Sequence, residues 1–157
     1  VTTRGITARL GGGWKDWSVS TGAALTDYRD DVGDIAGSDW IRTPQVQAAI
    51  GRKWKGWRAD FFCDHHGESV SYTAINTGEV ATSRVGRYTT IDASVARTIT
   101  GERLTIVLGC KNIGNVTNVD AVMAEGAHGS AGGMVPMATG RTFFLRIDLH
   151  LEKMDKR

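Results

Sequence analysis

The sequence predicts an all-β protein: a transmembrane, antiparallel, up-and-down sheet of about seven strands forming part of a barrel wall. Three observations predict it. Apolar residues recur with period two in run after run, and no run carries the 3.6-residue period of a helix. Short and long connections alternate along the chain without a break in the pattern. Four of the five tryptophans sit in two matching pieces, Trp14-Lys15-Asp16-Trp17 and Trp54-Lys55-Gly56-Trp57.

The strands follow from parity, because successive side chains in a strand point to opposite faces. Over 6–14, Ile6, Ala8, Leu10 and Trp14 share one face, against Thr7, Arg9 and Gly11. Over 17–28, Trp17, Val19, Thr21, Ala23 and Leu25 alternate with Ser18, Ser20, Gly22 and Thr26. Over 45–54, Val46, Ala48 and Ile50 alternate with Gln45, Gln47 and Gly51. Over 57–64, Trp57, Ala59, Phe61 and Cys63 oppose Arg58, Asp60 and Asp64, with Phe62 as the exception. Over 91–98, Ile91, Ala93 and Val95 alternate with Asp92, Ser94 and Ala96. Over 103–111, Leu104, Ile106, Leu108 and Cys110 share a face. The last run, 140–151, is the cleanest: Phe143, Leu145, Ile147, Leu149 and Leu151 on one parity, Thr142, Phe144, Arg146, Asp148 and His150 on the other.

The connections add direction. Lys15-Asp16 and Lys55-Gly56 are two-residue hairpin turns, and 98–102 is short. The segments 30–44, 67–86 and 112–139 are long. In an up-and-down meander this gathers the short turns at one end and the long loops at the other, as in outer-membrane barrels with short periplasmic turns and long extracellular loops. Strands of about 10–12 residues, rising roughly 3.3 Å each and tilted by about 45°, match the height of an apolar membrane band.

A two-residue turn places its flanking residues opposite each other with side chains on the same face. Trp14 should therefore pair with Trp17, and Trp54 with Trp57, all four on the apolar face at the short-turn end. Tryptophan favours the membrane–water interface, where the ring is half buried and its N–H stays wet. These four are the predicted membrane-interface residues, with Lys15 and Lys55 reaching water or lipid phosphate from the turn tips.

Composition sets further bounds. The chain has 157 residues and a net charge of +2, with no Lys/Arg run that would argue for nucleic acid. No apolar stretch approaches the roughly 18 residues of a transmembrane helix. The start, Val1-Thr2-Thr3-Arg4, lacks the pattern of a secretory signal and already reads as strand, so a beginning elsewhere is expected. Cys63 and Cys110 lie in strand-like runs without metal spacing and are expected to be separate packed thiols.

Four further pieces carry a family resemblance. Arg42-Thr43-Pro44-Gln45 is similar to an Arg-Thr-Pro element that opens a strand after an extracellular loop. Tyr88-Thr89-Thr90-Ile91-Asp92-Ala93-Ser94-Val95 resembles a strand carrying Asp-Ala-Ser. Leu108-Gly109-Cys110-Lys111-Asn112-Ile113-Gly114-Asn115 resembles an element with Asn-Leu-Phe followed by Asp or Asn, although here Ile113-Gly114 stands for Leu-Phe. Gly140-Arg141-Thr142-Phe143-Phe144 resembles the opening of a last strand. In order and spacing these resemble the C-terminal part of a TonB-dependent outer-membrane receptor. That resemblance implies a bacterial outer-membrane location and a 22-stranded barrel. It also implies an N-terminal plug and energy supplied through the TonB complex. The plug and the remaining strands are then expected partners, supplied by preceding sequence or another chain. Outer-membrane lipid is a third partner, and a surface lipoprotein a fourth. Residues 1–151 read as barrel strands, and 152–157 as a polar tail where the family often ends on an aromatic residue.

The implied function is import of a scarce bulky nutrient, such as a ferric siderophore, haem or cobalamin. Ligand contacts are expected in the long loops, at Trp40, Tyr72, His128 and Met134. No cofactor is expected. No Ser/His/Asp triad, phosphate loop or paired acid/base site emerges, so no enzyme activity or catalytic residue is assigned. Cys63-Asp64-His65-His66-Gly67-Glu68 looks like a metal cluster, but adjacent strand residues point apart, so a polar rim is the reading and no metal ligand is assigned. The lumen-facing charges Arg58, Asp60, Asp92, Arg146 and Asp148 read as plug contacts or wall solvation. Two rivals remain: a small complete outer-membrane barrel with an adhesin, structural or enzymatic role, and a soluble ligand-binding sandwich.

Overall fold

The computed structural model describes residues 2–29, 40–74, 80–99, 103–122, 132–136 and 139–149. Its strands run in chain order as β1 (Thr2–Trp14), β2 (Trp17–Arg29), β3 (Ile41–Trp54), β4 (Trp57–His66), β5 (Ser69–Ala74), β6 (Val80–Val85), β7 (Tyr88–Ile99), β8 (Leu104–Lys111), β9 (Asn118–Val122), β10 (Gly132–Pro136) and β11 (Thr142–Leu149). Seven form one antiparallel sheet in the order β1-β2-β3-β4-β7-β8-β11. These correspond one to one with the seven runs of period two, including the transmembrane barrel wall predicted from them. The last predicted strand ends among residues outside the described set, as does the 152–157 tail.

The other four strands are a departure. The segments 67–86 and 112–139 read as loops in sequence, yet they contribute a second antiparallel sheet in the order β10-β9-β6-β5. Each is a hairpin, β5 with β6 and β9 with β10, joined where Arg84 and Val85 pair with Val122 and Ala121. Two adjacent long connections thus build one structure at the long-loop end of the wall.

The register confirms both hairpins. Trp14 pairs with Trp17 and Trp54 with Trp57. Lys15 and Lys55 take positive φ of 52° and 43°, and Gly56 follows at 78°. Positive φ at both central residues suits the Lys55-Gly56 turn to the right-handed twist of its strands. Registers with whole-strand alternation of this kind are strongly specified, because a one-residue slip would turn every apolar side chain to the wrong face.

Following the register across the wall assigns two faces. One carries Ile6, Leu10, Trp14, Trp17, Val19, Val46, Ile50, Trp54, Trp57, Phe61, Val95, Leu108, Phe143, Leu145, Ile147 and Leu149, every large apolar side chain that is exposed among the described residues. Leu10 is 75% exposed and Phe143 76%. By contrast, among the described residues only Ile41, Val107 and Val119 are buried apolar residues. A water-soluble sheet buries its apolar face against a second layer. This one presents it outward, the arrangement of a wall facing hydrocarbon. From Ile6 to Trp14 the outward face of β1 runs about nine residues, within the roughly 9–11 a tilted strand needs to cross a bilayer.

The opposite face is polar. Arg58 is paired with Asp60 at 2.8 Å and Arg146 with Asp148 at 3.0 Å, each two residues apart on the same face of one strand. The tip of the Phe144 ring lies over Gly109 on β8, where a Cβ would collide with it. Cys63 and Cys110 are separate thiols.

Candidate functional site

The wall has two chemically distinct ends. At the long-loop end the inner face carries a cluster drawn from three strands. Gln45 on β3 faces His66 on β4 across the ladder, and His66 faces Tyr88 on β7. Gln45 Nε2 donates to Asp64 Oδ1 at 3.1 Å, Asp64 Oδ2 lies 3.1 Å from His66 Nε2, and the His66 ring stacks on Tyr88 with centroids 4.7 Å apart. All four side chains are half-buried. The arrangement offers a flat aromatic surface flanked by an amide, an imidazole and a carboxylate. Chemically it can stack on a planar group and exchange hydrogen bonds with it.

Two backbone bonds mark the points where the chain leaves the wall for the second sheet and returns from it. The Gly67 N–H donates to the Pro44 carbonyl at 2.8 Å, and the Gly86 N–H donates to the Asp120 carbonyl at 2.7 Å. At Gly67 a Cβ would collide with the Pro44 ring, which is why glycine stands where the chain leaves the wall. The return of the other long connection is held by Asn112, one of two non-glycine residues with positive φ in its turn. Asn112 Nδ2 donates to the carbonyls of Val116 and Thr139 at 2.9 and 3.1 Å, and its Oδ1 accepts the Val116 N–H at 2.9 Å. Asn115 Oδ1 accepts the Arg141 N–H at 2.9 Å. The Asn112-to-Asn115 element is therefore a knot that ties both ends of a long connection to the top of β8.

Adjacent histidines separate as strand geometry requires. His65 points outward and its Nδ1 lies 2.8 Å from Thr89 Oγ1, while His66 joins the inner cluster. No three potential metal-ligating side chains converge among the described residues.

The predicted ligand-loop residues are dispersed. Tyr72 lies on β5 and Met134 on β10, the two edge strands of the second sheet. His128 lies outside the described residues. Trp40 immediately precedes β3, and the guanidinium of Arg4 sits 3.9 Å from the centre of its ring. That contact belongs to an outward-facing ion group. Asp27, with its side chain only 9% exposed, accepts from Arg4 Nε at 3.2 Å and from Arg42 Nε at 2.9 Å. An acid at the limit of an apolar band is costly unless paired, and here arginines from both neighbouring strands pair it.

Sequence reasoning missed two groups. The inner Gln45–Asp64–His66–Tyr88 cluster could have been found by counting back from the Lys55-Gly56 turn, which fixes Gln45 opposite His66. The second group lies at the short-turn end, where Trp17 pairs with Arg52 and Trp57 with Arg97. No local signal marks those arginines.

The four predicted interface tryptophans all lie on the outward face at the short-turn end. A family model for TonB dependent receptor-like β-barrels matches residues 1–113, from β1 through β8. No match was found among curated proteins or among solved structures. With its inverted polarity, open seven-stranded wall and this match, the chain belongs to the TonB-dependent receptor β-barrel family of outer-membrane transport proteins.

Proposed function

We propose that this chain is the C-terminal barrel segment of an active transporter that imports a scarce bulky nutrient, a ferric siderophore, haem or cobalamin. The observation that carries the reading is the division of the wall. Among the described residues, one face carries every large apolar side chain that is exposed, and the other gathers Gln45, Asp64, His66 and Tyr88 at the long-loop end. Among the described residues β1 and β11 each have a neighbour on one side only. Unpaired backbone groups in lipid cost several kcal/mol each, so these edges pair with further strands of the same barrel. The plug and the TonB complex act through those parts, and a surface lipoprotein is a further partner. Ligand reaches the barrel past Trp40, Tyr72, His128 and Met134, and Trp14, Trp17, Trp54 and Trp57 hold the opposite end at the membrane surface.

The test is uptake of labelled ferric siderophore, haem and cobalamin by cells with and without the protein, before and after the proton gradient is collapsed. One ligand class should depend on both. His66→Ala and Tyr88→Ala should weaken uptake of that ligand at low concentration while the barrel remains in the membrane. Unchanged uptake of all three without the protein sinks the proposal.

A further inference from the structure

The two Trp-Lys-x-Trp turns are parts of a larger repeat that the register completes. Trp14 pairs with Trp17, and Trp17 with Arg52. Trp54 pairs with Trp57, and Trp57 with Arg97. Each turn is thus the start of a lateral Trp–Trp–Arg row across three strands, all on the outward face. The guanidinium lies over the neighbouring indole in both copies, Arg52 at 4.9 Å from Trp17 and Arg97 at 5.0 Å from Trp57. The backbone repeats too. The residue after each arginine donates its N–H to the second turn residue, Lys53 to the Asp16 carbonyl and Thr98 to the Gly56 carbonyl, both at 2.8 Å.

Among the described residues, no carboxylate pairs with Arg52, Arg97, Lys15 or Lys55, whereas Arg4, Arg42, Arg58 and Arg146 are all ion-paired. Arg97 Nη1 donates to the Lys55 carbonyl at 2.7 Å. Stacking on indole fixes a guanidinium's plane and leaves its N–H edge open, the geometry that meets phosphate oxygens in pairs. Directly above the first row, toward the apolar band, Gly12 faces outward opposite Val19 with open space where a side chain would be. Leu10, Val19, Trp14 and Trp17 border that notch. An apolar notch above an unpaired cation has the shape of a lipid: chain in the notch, phosphate on the arginine.

We propose that the Trp–Trp–Arg rows are docking sites for anionic glycerophospholipid at the short-turn surface of the membrane, with Arg52 and Arg97 holding the phosphate and the Gly12 notch seating an acyl chain. This rests on the barrel reading above. Surface cations near anionic lipid contribute about 1 kcal/mol each, roughly a fivefold preference per arginine.

The test uses the assembled barrel in vesicles of phosphatidylcholine, with or without phosphatidylglycerol, followed by native mass spectrometry of the lipids that stay bound. The wild-type barrel should retain phosphatidylglycerol in preference to phosphatidylcholine. Arg52→Gln with Arg97→Gln should cut that preference by more than tenfold. Arg52→Lys with Arg97→Lys should keep part of it. Gly12→Leu should shorten retention with both arginines in place. Arg146→Gln, on the inner face, should match wild type. An unchanged preference in the double glutamine variant, or an equal loss in Arg146→Gln, overturns the lipid sites while leaving the transporter intact. Failure to insert into either vesicle overturns the barrel reading and this proposal with it.

Discussion

Asp92 on β7 accepts the backbone N–H of Asn112 at the end of β8, at 2.8 Å. Both residues were legible as parts of separate family-like pieces, and Asp92 as a lumen-facing charge. The contact gives them one job. The aspartate holds the residue that turns the chain out of the wall, and Asn112 then ties down Val116 and Thr139. Asp92→Ala removes a hydrogen bond to a charged acceptor and should cost about 1.5–3 kcal/mol. Asn112→Ala should cost more, since it loses three side-chain bonds and strains a backbone at φ 51°. Asn112→Gly relieves the strain alone and should fall between wild type and Asn112→Ala. Urea midpoints in detergent micelles measure the order, and an Asn112→Ala barrel as stable as wild type refutes the knot.

Moving Trp14 and Trp17 to Ala should weaken the barrel and leave ligand affinity alone. The pair is an outward-facing contact at the end opposite the inner cluster. Beyond burial of area, such an aromatic pair contributes about 0.5–1.5 kcal/mol. The expected outcome is a lower temperature for the heat-induced gel shift with an unchanged ligand Kd. Lost affinity in a normally folded double variant would place the ligand at the wrong end.

The wall was legible because period two and two-residue turns are local properties. Trp14-Lys15-Asp16-Trp17 sets a strand pair by itself, and parity carries the faces along β1 and β2. What escaped depends on register between strands joined by long connections. Arg52 becomes the partner of Trp17 only through pairing of β2 with β3, across a segment whose length does not dictate register. The second sheet escaped for a related reason. β9 and β10 are five residues each, and β6 joins β9 through only two residue pairs across intervening wall strands. Such non-local pairings leave almost no periodic trace in so short a run. Trp40 was expected to be a ligand contact because it lies in a long loop, and its stacking on Arg4 requires knowing that β1 begins beside it.

Gly109 and Phe144 should be energetically coupled. They pair across β8 and β11, and the ring occupies the space above the glycine. Gly109→Ala must push the ring aside. Its cost should be about 1–3 kcal/mol in the wild-type barrel, the range for overpacking. In a Phe144→Ala background the same change should cost little, giving a coupling energy of about 0.5–3 kcal/mol for residues in contact. Additive effects in a double-mutant cycle measured by urea unfolding contradict the packing described.

The sheet's open edges make the sharpest prediction about assembly. Among the described residues β1 pairs with β2 alone and β11 with β8 alone, so both outer strands present unpaired N–H and C=O groups. In water such edges recruit other strands, and in lipid each unpaired group costs several kcal/mol. The 157-residue chain folded by itself into detergent should therefore not give a compact, heat-modifiable monomer. It should either aggregate or pair edge to edge. Supplying the strands that complete the barrel should restore the gel shift. Disulfide trapping reports the pairing directly: under oxidation, cysteines at Gly5 on β1 and Thr142 on β11, in a Cys63→Ser, Cys110→Ser background, should cross-link to single cysteines placed along the strands that complete the barrel and not to each other. A heat-modifiable monomer from this chain alone, with Gly5 and Thr142 cross-linked together, would mean that β1 and β11 close on each other and that the chain is a small complete barrel.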